Sequence, residues 1–146
     1  MTRQELLDKL ARAIDEMEGF FSAHPTLAQR NANPGNLRAW RDAKGRPYPT
    51  SGGYVDFVAW ASSRIPGASR EEIRQRALDE GWRILRVLVG QYLDGRYTHG
   101  KPPSAEEMFR VYAPSADGNH PAAYARFVAA KIGARPDQGL LDLVTV

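Results

Sequence analysis

The sequence of 146 residues contains no cysteine. This absence excludes disulfide bridges, thiolate metal sites and cysteine nucleophiles, so the fold depends on packing alone. Long apolar runs are also missing. At the N-terminus, residues 1–5 lead directly into alternating charged residues and leucines. A signal peptide and a membrane span both need such a run. We therefore expect a chain that is made in the cytoplasm without a signal peptide and does not insert into a membrane.

Clusters of basic residues and of metal ligands are missing as well. The 20 Lys and Arg residues against 17 Asp and Glu give a net charge of +3, which weakly favours anionic partners. No run of five basic residues occurs, so we expect no nucleic-acid partner. His24, His99 and His120 lack the close pairings of a metal site, and no nucleophile elbow or phosphate-binding glycine loop is present. We therefore expect no metal and no cofactor.

What the sequence does contain predicts a mainly α (α+β) fold with a small β-hairpin region. Hydrophobic residues make up 42% and charged residues 25%, so we expect residues 1–146 to form a single domain. Asn, Pro and Gly residues from Asn31 to Tyr54 predict a small irregular hairpin. Pro121 and Gly133 are placed to begin and end a helix. Capping-box patterns predict further helix starts at Thr2–Glu5, Ser69–Glu72 and Ser104–Glu107.

The first predicted helix, residues 3 to about 20, has one ionisable residue on its apolar stripe. At about 100° per residue, the stripe contains Leu7, Leu10, Ala11, Ile14, Met17, Glu18 and Phe21. We expect Asp8, Asp15 and Glu16 to project into solvent. Burial and the negative end of the helix dipole would raise the pKa of Glu18, as a general acid requires. From periodicity alone, the alternative is that Glu18 reaches water or pairs with an arginine such as Arg38.

The blocks around Glu18 resemble the phage and bacterial lysozyme-like domains related to soluble lytic transglycosylases and goose-type lysozyme. The first block ends in Met-Glu-Gly-Phe, and the second, residues 28–38, contains Arg-Asn-Ala-Asn-Pro-Gly-Asn-Leu-Arg. These blocks and the later ones follow the family's order and cover most of the chain. The later matches are Gly81–Leu85, Tyr112–Pro114, Asp117–Asn119 and Tyr124. The resemblance implies a lysozyme-like helical domain.

The resemblance also implies a site. The glutamate at the end of the family's first helix is the acid and base, and this position corresponds to Glu18. The Asn-Pro-Gly-Asn turn is implied to form one wall of a sugar-binding cleft. The expected substrate-binding residues are Asn33, Asn36, Arg38, Tyr112, Asn119 and Tyr124. Structural alternatives stay open: Asn33 and Asn36 tie the loop to itself, Tyr112 is a core tyrosine, and Arg38 supports the fold.

The resemblance implies cleavage of the β-1,4 bond between N-acetylmuramic acid and N-acetylglucosamine in peptidoglycan. Hydrolysis by the usual schemes needs a second carboxylate, and the candidates Asp42, Asp56 and Asp117 lie in no nucleophile motif. Lytic transglycosylases need one glutamate, because the substrate's N-acetyl group assists, and they release a 1,6-anhydromuramyl product. We therefore favour a lytic transglycosylase over a hydrolytic muramidase of the endolysin kind.

A phage-derived virion or wall-binding protein without turnover is the non-enzyme alternative. We expect a monomer that binds peptidoglycan glycan strands, in the periplasm or cell wall after release or carried in a phage particle. The chain departs from the family in the stretch from Ala59 to Glu80, which is longer than the corresponding link in relatives. This stretch is expected to reshape one rim of the groove.

Overall fold

The structure, a computed structural model, describes residues 1–19, 26–112 and 120–145. Strands β1 (Thr50–Ser51) and β2 (Tyr54–Val55) pair antiparallel, and a 3₁₀ helix covers Leu140–Leu143. The predicted fold class is confirmed: the chain is mainly helical with a small hairpin. The α-helices are α1 (Arg3–Met17), α2 (Leu27–Arg30), α3 (Phe57–Arg64), α4 (Arg70–Leu93), α5 (Ala105–Tyr112) and α6 (Pro121–Ile132).

In the part of the chain that the structure describes, we find no helix with the length and apolar character that a membrane span requires.

Most helix starts follow from local sequence signals. Complete capping boxes stand before α4, between Ser69 and Glu72, and before α5, between Ser104 and Glu107. At α1 the box is half formed, with the Glu5 N–H donating to Thr2 Oγ1 at 3.1 Å. Each such bond satisfies an N–H that the first turn of a helix leaves without a partner. The short helix α2 was not predicted, although Thr26 and Gln29 form a complete box there.

The chain groups into two compact units, and α4 contributes residues to both. Unit 1 consists of residues 1–17 and 86–146, and unit 2 of residues 18–85. That the chain is a single domain stays a prediction.

Unit 1 has a core of three packed helices and an aromatic cluster. Helix α6 packs against both α1 and α5. The rings of Phe109 and Tyr124 stack with their centroids 4.6 Å apart. The two ends of the chain meet in this unit, because the Met1 ammonium donates to the Leu143 carbonyl at 3.1 Å. The largest fully buried side chains here include Leu6, Leu10, Ile14, Leu93, Met108 and Leu140.

Unit 2 has a core formed by the hairpin and the helices that follow it. Phe57 is fully buried at the start of α3, and its N–H donates to the Asn31 carbonyl at 2.9 Å. Tyr48 meets Phe57 edge-on at 5.8 Å and stacks on Trp60 at 5.7 Å. These contacts join the loop that precedes the hairpin to α3.

Helix α1 ends earlier than predicted, at Met17 rather than near residue 20. Gly19 has a φ of +77°, a left-handed conformation that commonly ends a helix and that glycine adopts without strain. Met17 is 38% exposed and so lies outside the core in which the apolar stripe placed it. Phe21 lies outside the described residues.

Asp15 corrects the expected orientation of α1. It was predicted to project into solvent, but it is fully buried, and neither carboxyl oxygen has a hydrogen-bond partner in the described structure. Burial raises the pKa of Asp15 to about 8, although Arg12 opposes this shift. The prediction was wrong because α6 packs against α1, and the period of one helix does not reveal which of its faces another element covers.

Candidate functional site

The Asn-Pro-Gly-Asn turn is built around the side chain of Asn33. The Asn33 amide donates to the carbonyls of Leu37, at 3.0 Å, and Val55, at 3.1 Å. Its oxygen accepts from the Leu37 N–H at 2.9 Å. The side chain is fully buried. Its polar atoms thus hold the loop to itself and to β2, and the expectation that Asn33 binds sugar stays a prediction.

Asn36 differs from Asn33 in its bonding. Its backbone has a φ of +49°, which asparagine tolerates better than most residues, and its N–H donates to the Asn33 carbonyl at 3.0 Å. Its half-buried side chain has an oxygen with no donor among the described residues. A buried acceptor without a donor is unfavourable. Asn36 is therefore the amide of this turn that a ligand hydroxyl or N–H would satisfy, and its binding role stays a prediction.

Glu18 is connected to this turn by a short chain of contacts. It directly follows α1 and is half-buried. The carbonyl of the next residue, Gly19, accepts from Thr26 Oγ1 at 3.4 Å. Thr26 caps α2, whose last residue directly precedes Asn31 at the start of the turn. Within unit 2, the predicted acid and the predicted cleft wall are thus joined through one four-residue helix.

Arg38 is exposed at the end of the turn. Its guanidinium lies 5.7 Å from the centre of the Tyr54 ring in β2, a cation–π contact. This contact places the charge on the surface of the hairpin. The proposed binding role of Arg38 stays a prediction.

The remaining predicted binding residues belong to unit 1 or lie outside the described residues. Tyr124 is only 4% exposed and stacks on Phe109, so it contributes to the core of unit 1, and its binding role stays a prediction. Tyr112 is half-buried, with its ring 6.3 Å from Tyr124, and its role stays a prediction. Asn119 lies outside the described residues.

The candidates for a second carboxylate have structural partners. Asp42 accepts from the backbone N–H groups of Lys44 and Arg46, each at 2.9 Å, and from the Arg46 guanidinium at 2.9 Å. The bond from the Arg46 backbone is the main reason that the pKa of Asp42 is lowered. Asp56 caps α3 by accepting from the Ala59 N–H at 3.0 Å. Asp117 lies outside the described residues.

One carboxylate of unit 2 was missed in the sequence. Glu80 accepts from the Tyr48 hydroxyl at 2.7 Å and from the Arg83 guanidinium at 2.6 Å. Burial acts to raise the pKa of Glu80, but the hydrogen bonds from Arg83 and Tyr48 outweigh it and lower the pKa. Burial and Glu80 together raise the pKa of Tyr48 to about 12. Tyr48 and Glu80 are 32 residues apart, so no local pattern indicates the pair.

Gly81 of α4 is the position where the helix touches the turn most closely. A methyl group at Gly81 would lie 2.4 Å from the Ala32 carbonyl oxygen and 2.8 Å from Pro34 Cδ. Both distances are far inside van der Waals contact, and a backbone carbonyl cannot move aside as a side chain can. The absence of a side chain here therefore lets the turn rest on α4.

We expect Gly81→Ala to lower the free energy of unfolding by about 1–3 kcal/mol, the usual range for overpacking. Urea denaturation followed by circular dichroism measures this change. Gly90→Ala is the matched control on the same helix, because its methyl would approach only Arg3 and Leu7, each at 3.8 Å. It should stabilise the protein by about 0.5–1 kcal/mol through helix propensity. Equal effects of the two substitutions would contradict the close approach at Gly81.

Comparison of the chain with protein-family models, with curated proteins and with solved structures gives no match. Across residues 1–19, 26–112 and 120–145, no group of three His, Asp or Glu side chains is placed to hold a metal ion.

Proposed function

We propose that this chain cleaves the β-1,4 bond between N-acetylmuramic acid and N-acetylglucosamine in peptidoglycan, as a lytic transglycosylase with Glu18 as its acid and base. The observation that carries the proposal is the link from Glu18 through Gly19 and Thr26 to the Asn-Pro-Gly-Asn turn. Two separate sequence blocks that resemble the family are thereby joined in one unit, as a catalytic acid and its cleft wall require.

The reaction needs one carboxyl group in two protonation states. Glu18, protonated, gives its proton to the glycosidic oxygen while the substrate's N-acetyl oxygen attacks the anomeric carbon and the glycosidic bond breaks. Glu18, now ionised, accepts the proton of the C6 hydroxyl of the muramyl residue. The C6 oxygen then attacks the anomeric carbon and displaces the N-acetyl oxygen. The products are a 1,6-anhydromuramyl end and a free N-acetylglucosamine hydroxyl.

The structural roles of Asp42 and Asp56 support this scheme over hydrolysis. A second carboxylate acting as nucleophile or base must present a free oxygen to the sugar or to water. Asp42 would have to give up bonds within its turn, and Asp56 its cap on α3. A mechanism with Glu18 alone leaves both in place.

We expect digestion of purified peptidoglycan to release muropeptides that end in 1,6-anhydromuramic acid. Mass spectrometry distinguishes them from hydrolytic products, because the anhydro form is lighter by one water. Muropeptides with reducing N-acetylmuramic acid ends would overturn the transglycosylase assignment and favour a muramidase.

A zymogram with wild-type protein and Glu18→Gln tests catalysis itself. Wild-type protein should clear the peptidoglycan in the gel, and the variant should not. Equal clearing by both proteins would remove Glu18 from the reaction. No clearing by either, with retained binding to sacculi, would favour a wall-binding protein.

A further inference from the structure

A small pocket opens in unit 2 between the loop that precedes β1 and the C-terminal half of α3. Its volume is about 200 Å³. Ligand pockets for drug-sized molecules usually measure about 300–1,000 Å³, so this one suits a single small ring rather than a chain. The α3 residues that line it include Trp60 and Arg64.

Part of the pocket wall is fixed by proline residues, ring stacking and a hydrogen bond. Pro47 and Pro49 form one side, and proline has a fixed φ. Tyr48 stacks on Trp60, with ring planes 19° apart, and the Tyr48 hydroxyl is fixed by its bond to Glu80. A preformed pocket loses little conformational freedom on binding. Apolar proline edges beside a buried aromatic pair suit the C–H face of a sugar ring.

The pocket also offers positive charge and hydrogen-bond donors. Arg64 lies 5.3 Å over the Trp60 ring and has no ion pair among the described residues. The Trp60 indole N–H is buried and finds no acceptor among them. Arg46 also lines the pocket, and Asp42 neutralises its guanidinium through an ion pair at 2.9 Å. Arg64 is therefore the cation of this pocket without an anionic partner among the described residues, and a carboxylate would supply one.

The surrounding charge points to the same kind of ligand. Unit 2 contains ten basic and seven acidic residues, whereas unit 1 contains ten of each, so the net charge of +3 belongs to unit 2. Residues 26–55 contain one acid, Asp42, and five exposed basic residues. The basic residues are Arg30, Arg38, Arg41, Lys44 and Arg46. Such a surface attracts anions to this part of unit 2, in which the pocket lies.

We propose that this pocket binds a single sugar that carries a carboxylate, with Arg64 as the group that holds the anion. The sugar that fits this description in peptidoglycan is N-acetylmuramic acid, whose lactyl ether ends in a carboxyl group. The choice of sugar rests on the proposed function, while the preference for an anionic ring rests on the pocket alone. The pocket would then hold a glycan strand by one muramyl residue.

The test is a titration of wild-type, ¹⁵N-labelled protein with N-acetylmuramic acid, followed by NMR. The indole N–H signal of Trp60, assigned with Trp60→Phe, should shift on binding. N-acetylglucosamine, which lacks the lactyl carboxylate, should bind about tenfold more weakly, the usual effect of one lost hydrogen bond to a charged group. Equal binding of both sugars, or shifts confined to signals outside the pocket, would overturn the proposal.

Two variants and one further probe separate the contributions. Arg64→Gln should weaken N-acetylmuramic acid binding by about tenfold, whereas Arg70→Gln, an exposed arginine outside the pocket, should leave it unchanged. If both variants bind like wild type, Arg64 does not hold the anion and the proposal fails.

Acetate should not reproduce the shift at equal concentration, and if it does, the pocket recognises an anion rather than a sugar. N-acetylmuramic acid has no glycosidic bond to cleave, so its binding does not depend on catalysis. Binding of this sugar without clearing in the zymogram would therefore contradict the proposed function but not the binding role of this pocket.

Discussion

Glu18→Gln is expected to reduce the rate of peptidoglycan cleavage by about 10²–10⁴-fold, the range typical of general acid–base catalysis. Glutamine keeps the shape of glutamic acid but cannot give a proton to the glycosidic oxygen or accept one from the C6 hydroxyl. Both steps of the proposed reaction therefore fail. Release of soluble muropeptides from sacculi, followed over time at equal protein concentration, measures the rate.

Glu16→Gln is the matched control, because it makes the same chemical change two residues away. Glu16 forms ion pairs with Lys131, at 3.1 Å, and Arg12, at 3.7 Å, on the surface of unit 1. Exposed pairs of this kind contribute about 0–1 kcal/mol to stability, so the variant should fold and keep its activity. Circular dichroism should show that both variants are folded. If Glu16→Gln then lost as much activity as Glu18→Gln, the effect would not be specific to Glu18, and the assignment of Glu18 as the acid would be contradicted.

The second large effect is expected on stability, and it arises from Asp15. The pKa of Asp15 is about 8 in the folded protein, against 3.8 for an ordinary aspartate. Between these values the unfolded chain is ionised at this position while the folded chain keeps its proton. The folded state therefore binds more protons, and its stability falls as pH rises through this window. The contribution of Asp15 is about 1.4 kcal/mol for each pH unit, and it becomes constant above the folded pKa.

Asp15→Asn isolates this contribution, because asparagine has the shape of the protonated acid and does not titrate. In urea unfolding experiments from pH 4 to pH 8, the free energy of unfolding should fall more steeply with pH for the wild-type protein than for the variant. Asp8→Asn serves as the control, since Asp8 is exposed on the same helix and should leave the slope unchanged. If wild type and Asp15→Asn show parallel curves, Asp15 is not protonated in the folded state.

Much of the local structure could be predicted because its causes lie within a few residues. The capping boxes at Ser69 and Ser104 each span four residues, and each begins the helix that it predicts. Gly133, with a φ of +77°, ends α6 where the sequence placed the end. The Asn-Pro-Gly-Asn turn was also predicted. These features need no knowledge of how distant elements pack.

The features that could not be predicted concern side chains whose environment is set by distant parts of the chain. Asp15 is buried by the packing of α1 within unit 1, where α6 lies against this helix, and the period of one helix cannot reveal that packing. The side-chain amide of Asn33 donates to the carbonyl of Val55, 22 residues away. Tyr48 and Trp60, which lie before and after the hairpin in the sequence, stack on each other and line the pocket. In each case the residue type was visible in the sequence and its partner was not.

The division of unit 1 between the two ends of the chain affects the order in which the protein folds during synthesis. The ribosome makes the chain in the N-terminal to C-terminal direction, so α1 emerges before unit 2, but α6, which packs against it, is made only after all of unit 2. Unit 2 is continuous, and its contacts are complete once residue 85 has emerged. Contiguous segments generally fold first during translation. Leu6, Leu10 and Ile14 therefore stay uncovered on the nascent chain until α6 arrives, which makes α1 the segment that a chaperone would have to shield.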